Sequence, residues 1–330
     1  MLSTLSAAYR WTPLPDFGAV RVQGADSVRF LQGQLSNDVQ KLTAVNAMLA
    51  GLHTPQGRAV ALLRLIKMGP DDVLAVLPRE LAPAVAARLS KFVLRAKAKV
   101  TDASADWRFT GLIAPPEART NADGLPTGSP ADASASAATL PAAMHGQAEI
   151  DSSFVVRVAD APARWLVATP VAMRSPATDR AVTDVESWRA FDIAAGLPQV
   201  YAATSEAFVA QMLNLDVLNA IAFEKGCYTG QEVIARAHYR GRVKRRMQRF
   251  RSVGSATLAI GDSGKFRDGR SFRVVDVVAL SDGRCEFLAV APMSSGEDDA
   301  AEPATASTSA VAEAASLDVE SLPLPYALPV

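Results

Sequence analysis

The chain has 330 residues, of which 49% are apolar and 21% are charged, and this composition is typical of a folded globular protein rather than a disordered one. Its 34 Lys and Arg residues balance 34 Asp and Glu residues, so the overall charge favours neither nucleic acid nor an anionic membrane as a partner. The two cysteines, Cys227 and Cys285, exclude a disulfide framework and an iron–sulfur or zinc site made of cysteine alone.

The sequence also lacks the features of exported and membrane-spanning proteins. Residues 1–16 contain no continuous apolar stretch of the secretory type. No run reaches about 18 apolar residues, because polar residues interrupt even the stretch 207–223. We therefore expect a cytoplasmic protein that makes no membrane contact.

Two compositionally biased segments divide the chain. Residues 117–147 are rich in Ala, Ser, Thr, Pro and Gly, and residues 294–316 contain five acids but no Lys or Arg. Both patterns are typical of flexible, solvated segments. The sequence therefore predicts an N-terminal α+β lobe at residues 1–116, a second α+β lobe at 148–246, and a small β domain at 247–330 that contains the acidic insertion.

Apolar periodicity predicts a mixture of strands and helices, which makes the fold class α+β. In chain order, the first lobe has a strand at 19–22, a helix from Asp26 or Ser27, a hairpin formed by 59–67 and 73–77, an amphipathic helix along Leu81, Val85 and Leu89, and a strand at 107–114. The second lobe has strands at 154–158 and 165–169, a helix at about 184–194, and a helical pattern through Phe208, Met212 and Leu215. From Met247 onward, short strands separated by Gly-Asp and Asp-Gly turns predict a small antiparallel barrel or sandwich.

The most informative run is Lys225-Gly226-Cys227-Tyr228-Thr229-Gly230-Gln231-Glu232. Thr229 and Glu232 have the spacing of a capping box, which predicts a helix from Gln231 to about Tyr239 that ends near a left-handed Gly241. Cys227 then lies just before the helix N-terminus and near Lys225, and both neighbours favour its thiolate form. The alternative is that Cys227 is a small buried hydrophobic residue.

This run resembles the signature of the YgfZ family, the folate-binding, tRNA-modification-linked relatives of the glycine-cleavage T-protein. The resemblance extends over most of the chain, and its further stretches are residues 30–39, 54–58, 188–198, 211–215, 235–237, 239–241, 244–245 and 322–326. The two biased segments look like insertions into that frame.

The resemblance implies a three-domain, T-protein-like ring with ferredoxin-like α/β lobes and a C-terminal antiparallel β-barrel. It also implies a central tetrahydrofolate pocket, to which the lobe at 1–116 contributes, and a role in the assembly or repair of iron–sulfur enzymes. These partner enzymes include the tRNA methylthiotransferases, whereas direct contact with tRNA is left open.

The same resemblance implies a set of functional residues. Cys227 is the critical thiol, with Lys225 beside it, and one folate-contacting tryptophan of the family matches Trp188. The other falls at Phe17, which keeps a ring face for stacking but lacks the indole N–H donor. Further candidate cofactor contacts are Tyr228, Gln231, Glu232 and Arg240. For Trp188 the alternative is simple packing of a helix onto a sheet.

One departure separates the chain from the T-protein enzymes. Those aminomethyltransferases follow the turn at Gly57 with an Asp pair, one member of which acts at a folate nitrogen, whereas Arg58 to Pro70 contains no acid here. General acid–base assistance therefore has no obvious agent in this segment. The sequence favours a folate-dependent maturation factor, and a folate-dependent one-carbon (aminomethyl) transferase is the alternative.

The remaining signals are a basic stripe and scattered His and Cys residues. Eight Lys or Arg and no acid occur between Arg236 and Arg251. This stripe suits an anionic ligand tail, whereas Tyr239 and Phe250 alone make a thin platform for RNA bases, so a solvated surface is the preferred alternative to RNA binding. The three histidines have no metal-ligating companion, so no metal site is predicted, and Cys285 is expected to pack beside Phe287.

Overall fold

The computed structural model describes residues 2, 5, 8–115, 140–178, 180, 182–241, 243–293 and 316–329. Its strands are β1 (Arg10–Pro13), β2 (Phe17–Gln23), β3 (Met48–His53), β4 (Ala59–Gly69), β5 (Asp72–Pro78), β6 (Lys99–Asp102), β7 (Trp107–Ile113), β8 (Gln147–Ile150), β9 (Ser153–Asp160), β10 (Ala163–Pro170), β11 (Arg245–Ser252), β12 (Ser263–Lys265), β13 (Ser271–Ala279), β14 (Cys285–Pro292) and β15 (Val319–Leu322). Its helices are α1 (Ser27–Gln34), α2 (Ala82–Ser90), α3 (Val185–Ala194) and α4 (Gln231–Tyr239). The fold is thus mixed α and β, with few helices and three antiparallel sheets.

The first sheet has the strand order β3-β4-β5-β2-β6. The hairpin predicted around Gly69-Pro70-Asp71 is confirmed, because β4 and β5 pair antiparallel through that turn. The two predicted helices of the first lobe are confirmed as α1 and α2, which bury Phe30, Leu31, Val85 and Leu89 in the largest apolar core.

The second sheet has the order β1-β7-β10-β9-β8 and therefore takes strands from both sides of the segment 117–147. Side chains alternate across β7 as a pleated strand requires, so that Phe109 joins one core and Leu112 the other. The core that contains Phe109 also contains Leu74 and Val76 of the first sheet, and it therefore joins the two sheets.

The third sheet, β12-β13-β14-β11-β15, confirms the predicted antiparallel C-terminal unit. The expected barrel does not close among the described residues. A single bridge between Phe266 and Leu317 links the segment after β12 to the segment before β15. Both edge strands are short, with three and four residues, so they offer little length for a closing ladder. The ring arrangement and the ferredoxin-like lobes stay predictions.

Two further expectations need correction or qualification. The helical pattern at 208–215 gives only a 3₁₀ turn, Ala210–Leu213, because Asn214 adopts a left-handed φ of 57° and donates from Nδ2 to the Met247 carbonyl. The predicted flexible stretches 117–139 and 294–315 lie outside the described residues. Residues 140–147 are ordered, since Trp165 Nε1 donates to the Pro141 carbonyl and β8 starts at Gln147.

Across the described residues, no helix combines the length and apolar character needed to cross a bilayer.

Candidate functional site

Helix α3 forms one wall of a cleft. Its start is fixed by Asp184, whose carboxylate accepts a hydrogen bond from the Ser187 backbone N–H at 2.6 Å, as expected of an N-cap. Four side chains at helical spacing line the cleft: Val185, Trp188, Arg189 and Asp192. The helix therefore presents an aromatic ring, a cation and a carboxylate to one space.

The cleft consists of three adjoining chambers that share lining residues. The central chamber leaves a free volume of about 30 Å³. An inner chamber of about 30 Å³ adjoins it at Trp188 and Asp192, and an open outer chamber of about 500 Å³ adjoins it at Arg189 and Tyr201. Only the outer chamber has a volume typical of sites for small molecules and cofactors, whereas each of the other two has room for little more than a water molecule.

Phe17 and Trp188, which lie far apart in the sequence, are brought together here. Both line the central and the inner chamber. Phe17 begins β2 and is half-buried, whereas Trp188 is only 4% exposed. The structure thus joins the two residues that the sequence singled out for contact with a flat ring.

Trp188 packs against Arg164 and Gly111. The guanidinium carbon of Arg164 lies 4.6 Å from the centroid of the indole, and Arg164 Nη1 forms an ion pair of 2.7 Å with Asp192 Oδ1. Gly111 of β7 packs so closely that a Cβ there would collide with the indole ring. Trp188 is therefore a packed core residue, as the packing alternative expects, and it also lines the cleft, whereas its contact with folate stays a prediction.

A buried acidic group faces the central chamber from β13. Asp276 Oδ2 accepts a hydrogen bond from the Tyr201 hydroxyl at 3.1 Å, and Oδ1 lies 3.5 Å from Arg189 Nε. Burial raises the pKa of Asp276 to about 7, and it also raises the pKa of Tyr201. Asp276 can therefore donate or accept a proton near neutral pH.

A second cation lies in the inner chamber. Arg64 of β4 lines this space, and its Nη1 lies 3.3 Å from His145 Nδ1. Burial lowers the pKa of Arg64 to about 10 and the pKa of His145 to about 4, so the guanidinium is charged and the imidazole neutral near pH 7. Within the described ranges Arg64 has no carboxylate in an ion pair. The inner chamber therefore offers a charged donor to an acceptor group.

The signature loop forms a separate feature. Lys225 Nζ donates to three backbone carbonyls where α1 ends, those of Gln32, Leu35 and Asn37, each at 2.7 Å. Burial lowers the pKa of Lys225 to about 8. Lys225 thus anchors the loop to the negative end of α1, and Cys227, two residues later, is exposed.

Helix α4 starts differently from the prediction. Its N-cap is Gly230, with a left-handed φ of 83°, and Thr229 makes no capping hydrogen bond. The reason is a tertiary contact: a Cβ on Gly230 would collide with the carbonyl oxygen of Thr54 and approach Gly57 Cα to 3.1 Å. The capping box is therefore wrong, although the helix is confirmed. Its end also differs, since Gly241 has no positive φ and the C-cap after Tyr239 is Arg240, with a φ of −134°.

The remaining candidates lie with Cys227 and away from the cleft. Gln231 Oε1 accepts from the Tyr228 backbone N–H at 3.3 Å, and Gln231 Nε2 contacts the Lys225 carbonyl at 3.5 Å. Tyr228 is buried in the largest core, and burial raises its pKa to about 12. Glu232 and Arg240 are exposed on α4. In the described part of the chain, no residue of 225–240 lines the three chambers, so the predicted site separates into a cleft and a thiol loop.

The basic stripe separates into a structural half and an exposed half. Four of its arginines make internal contacts: Arg246 with Asp216, Arg249 and Arg251 with Glu286, and Arg245 with Ser271. Arg236, Arg240 and Lys244 are exposed, whereas Arg242 lies outside the described residues. Phe250 is fully buried, so of the two rings in this stripe only Tyr239 is exposed. Cys285 packs in the same core as Phe287, as predicted.

The sequence reasoning did not identify Arg64, Arg189, Gln199, Tyr201 or Asp276 as residues of the cleft. Two signals were present. Asp276 is a single acid within an otherwise apolar strand, Val274 to Val278, and Arg189 follows Trp188 on the predicted helix. Only the tertiary arrangement shows that β13 and α3 face the same space.

The sequence and the fold were compared with those of known proteins. No protein-family model matches the chain. It is 30% identical to the tRNA-modifying protein YgfZ of Yersinia pestis (strain Pestoides F) over 286 residues, which cover 84% of this chain and 82% of the relative. It is also 30% identical to the tRNA-modifying protein YgfZ of Escherichia coli O157:H7 over 280 residues, or 82% of each chain. The fold is similar to that of the glycine cleavage system aminomethyltransferase T from Bartonella henselae, with a TM-score of 0.65 at 17% identity, over 86% of this chain and 78% of that one. The chain therefore belongs to the YgfZ family.

Proposed function

We propose that this protein is a tetrahydrofolate-binding factor that supports the assembly or repair of iron–sulfur enzymes and thereby tRNA modification, including methylthiolation. The tRNA part follows from membership of a family whose relatives are named tRNA-modifying proteins. The folate part depends on one observation, which is that Phe17 and Trp188 line the same cleft.

The chemistry of the cleft suits a flat, polar heterocycle. Phe17 and Trp188 provide aromatic faces, and Arg64 and Gln199 provide donors to ring acceptors. Asp192 and Asp276 provide carboxylate oxygens for ring N–H groups. Two buried donors of Arg164, Nε and Nη2, have no hydrogen-bond partner among the described residues. Bound tetrahydrofolate would supply a carrier for one-carbon groups.

The cleft and the thiol loop are connected by one hairpin. Strands β3 and β4 contribute Leu49, Leu62 and Arg64 to the inner chamber. The turn between these strands contacts Gly230 and thereby supports the start of α4. A ligand that reaches the inner chamber would therefore contact the same element that holds the loop of Cys227. We propose that folate in the cleft stabilises the loop while the exposed thiol meets the client enzyme.

The folate proposal is tested by isothermal titration of the protein with tetrahydrofolate under anaerobic conditions. Trp188→Phe should weaken binding by about five- to tenfold, because it removes aromatic ring area from the cleft. Trp165→Phe is the matched control, since Trp165 is equally buried but belongs to a different core. No saturable binding by the parent, or equal loss in both variants, would contradict the proposal.

A second candidate, a folate-dependent one-carbon transferase, is favoured by Asp276. This carboxyl faces the central chamber and has a pKa of about 7, so it supplies an acid–base group that the segment 58–70 lacks. Incubation with tetrahydrofolate and an aminomethyl donor separates the two candidates. Turnover by the parent that disappears in Asp276→Asn identifies the transferase, whereas folate binding without turnover supports the maturation factor.

A further inference from the structure

The C-terminal end of α4 carries a cluster of aromatic rings on the surface. Phe223 and His238 are stacked, with ring centroids 3.7 Å apart and an interplanar angle of 15°. Tyr239 meets both rings edge-on, with centroid distances of 6.1 Å to Phe223 and 4.7 Å to His238. Phe223 also packs against the largest core, whereas Tyr239 is 65% exposed. The cluster is thus attached to the core through Phe223 and exposed to solvent at Tyr239.

Exposed cations surround this cluster. Arg236 lies one turn before Tyr239 on the same helix face, and Arg240 and Lys244 follow it. Their side chains make no ion pair or hydrogen bond with the residues that the structure describes. Glu224 and Glu232 are the nearest acids in the sequence, and no further acid occurs before Asp262. The surface therefore combines ring faces with positive charge that the fold does not use.

We propose that this aromatic-basic surface binds a single-stranded segment of RNA. Exposed bases stack on aromatic side chains, and the phosphates between them pair with Arg and Lys, so this ligand matches both halves of the surface. A duplex hides its base faces, and an acidic peptide has charge without bases, so each matches only the cations. Helix α4 rises about 12 Å from Gln231 to Tyr239, so the RNA would bind within two to three helical turns of the Cys227 loop.

The test measures fluorescence anisotropy of a labelled 12-nucleotide single-stranded RNA over a series of salt concentrations. Tyr239→Ala should weaken binding by roughly five- to fiftyfold, and Tyr239→Phe should restore most of it, since stacking needs the ring and not the hydroxyl. The triple variant Arg236→Ser, Arg240→Ser, Lys244→Ser should make the negative slope of log affinity against log salt shallower by about 2.

The segment 91–99 provides matched controls, because it also exposes an aromatic ring and several cations but shows no ring stack among the described residues. Phe92, 51% exposed, is the control for Tyr239, and Lys91, Lys97 and Lys99 are controls for the three cations. Loss of affinity only in the α4 variants supports the proposal. It is overturned if the parent does not bind at low salt, if Phe92→Ala weakens binding as much as Tyr239→Ala, or if a matched duplex or a polyglutamate peptide binds equally well.

Discussion

At the scale of single residues, Lys225 is an anchor for the loop of Cys227. Its ammonium group donates to three carbonyls at the end of α1, where the helix leaves its last acceptors without partners inside the helix. The sequence placed Lys225 beside the thiol as a functional partner, yet these contacts lie on α1. A charged donor of this kind contributes about 1.5–3 kcal/mol per bond when its acceptor is otherwise unpaired.

Replacing Lys225 with Met should lower the free energy of unfolding by about 2–4 kcal/mol, which is less than the sum of three such bonds because burial of the ammonium group offsets part of their contribution. Urea denaturation measures this loss, and Lys91→Met, an exposed lysine after α2, is the matched control. The rate at which Cys227 reacts with a thiol reagent should also differ between the parent and Lys225→Met, because the loop loses its attachment to α1 in the variant. Equal stability of the two variants would contradict the anchoring role.

The lowered pKa of Lys225 gives this anchor a pH dependence. The unfolded chain keeps the lysine protonated up to its ordinary value of 10.5, whereas the folded chain releases the proton above about 8. The unfolded state thus binds more protons between these values, so the contribution of Lys225 to unfolding free energy should rise across that range. Subtracting the pH profile of Lys225→Met from that of the parent measures this rise, and parallel profiles would refute it.

At the scale of elements, the start of α4 shows what a local pattern does and does not predict. The spacing of Thr229 and Glu232 and the position of Gly241 predicted the helix at 231–239, which is present. They did not predict the cap. The turn 54–57, which lies far away in the sequence, approaches residue 230 so closely that only glycine fits there. Similarly, Phe208 to Leu215 has helical spacing but gives only a short turn, because Asn214 bonds to β11.

The two glycines of the signature should therefore respond differently to substitution. Gly230→Ala places a Cβ on a left-handed residue and against Thr54, so we expect a loss of at least about 2 kcal/mol in unfolding free energy. Gly226→Ala is the matched control, because no atom lies within 4 Å of its added Cβ. Thermal and urea unfolding compare them, and similar stabilities would show that the contact between the loop and the turn contributes nothing.

At the scale of the whole molecule, the cleft exists because the sheets and α3 meet. Phe17 comes from the first sheet, Asp276 from the third, and Trp188 from α3, which packs on the second sheet. Strand positions and the β4–β5 hairpin could be predicted from apolar runs and turn residues. The pairing of β7 with β10 could not, since it joins strands on opposite sides of the segment 117–147. For the same reason the sequence found the two aromatic residues of the cleft by resemblance but missed its charged groups.

We propose that Cys227 acts in tRNA modification as an accessible thiol. The most direct measurement is the amount of methylthiolated tRNA in a bacterial strain that lacks its own family member, after expression of the parent, Cys227→Ala or Cys285→Ala. Cys285 is the internal control, because its sulfur is buried in the third sheet whereas Cys227 is exposed. We predict that the parent and Cys285→Ala restore the modification and that Cys227→Ala, folded and able to bind folate, does not. Equal restoration by Cys227→Ala, or no restoration by the parent, would contradict the account.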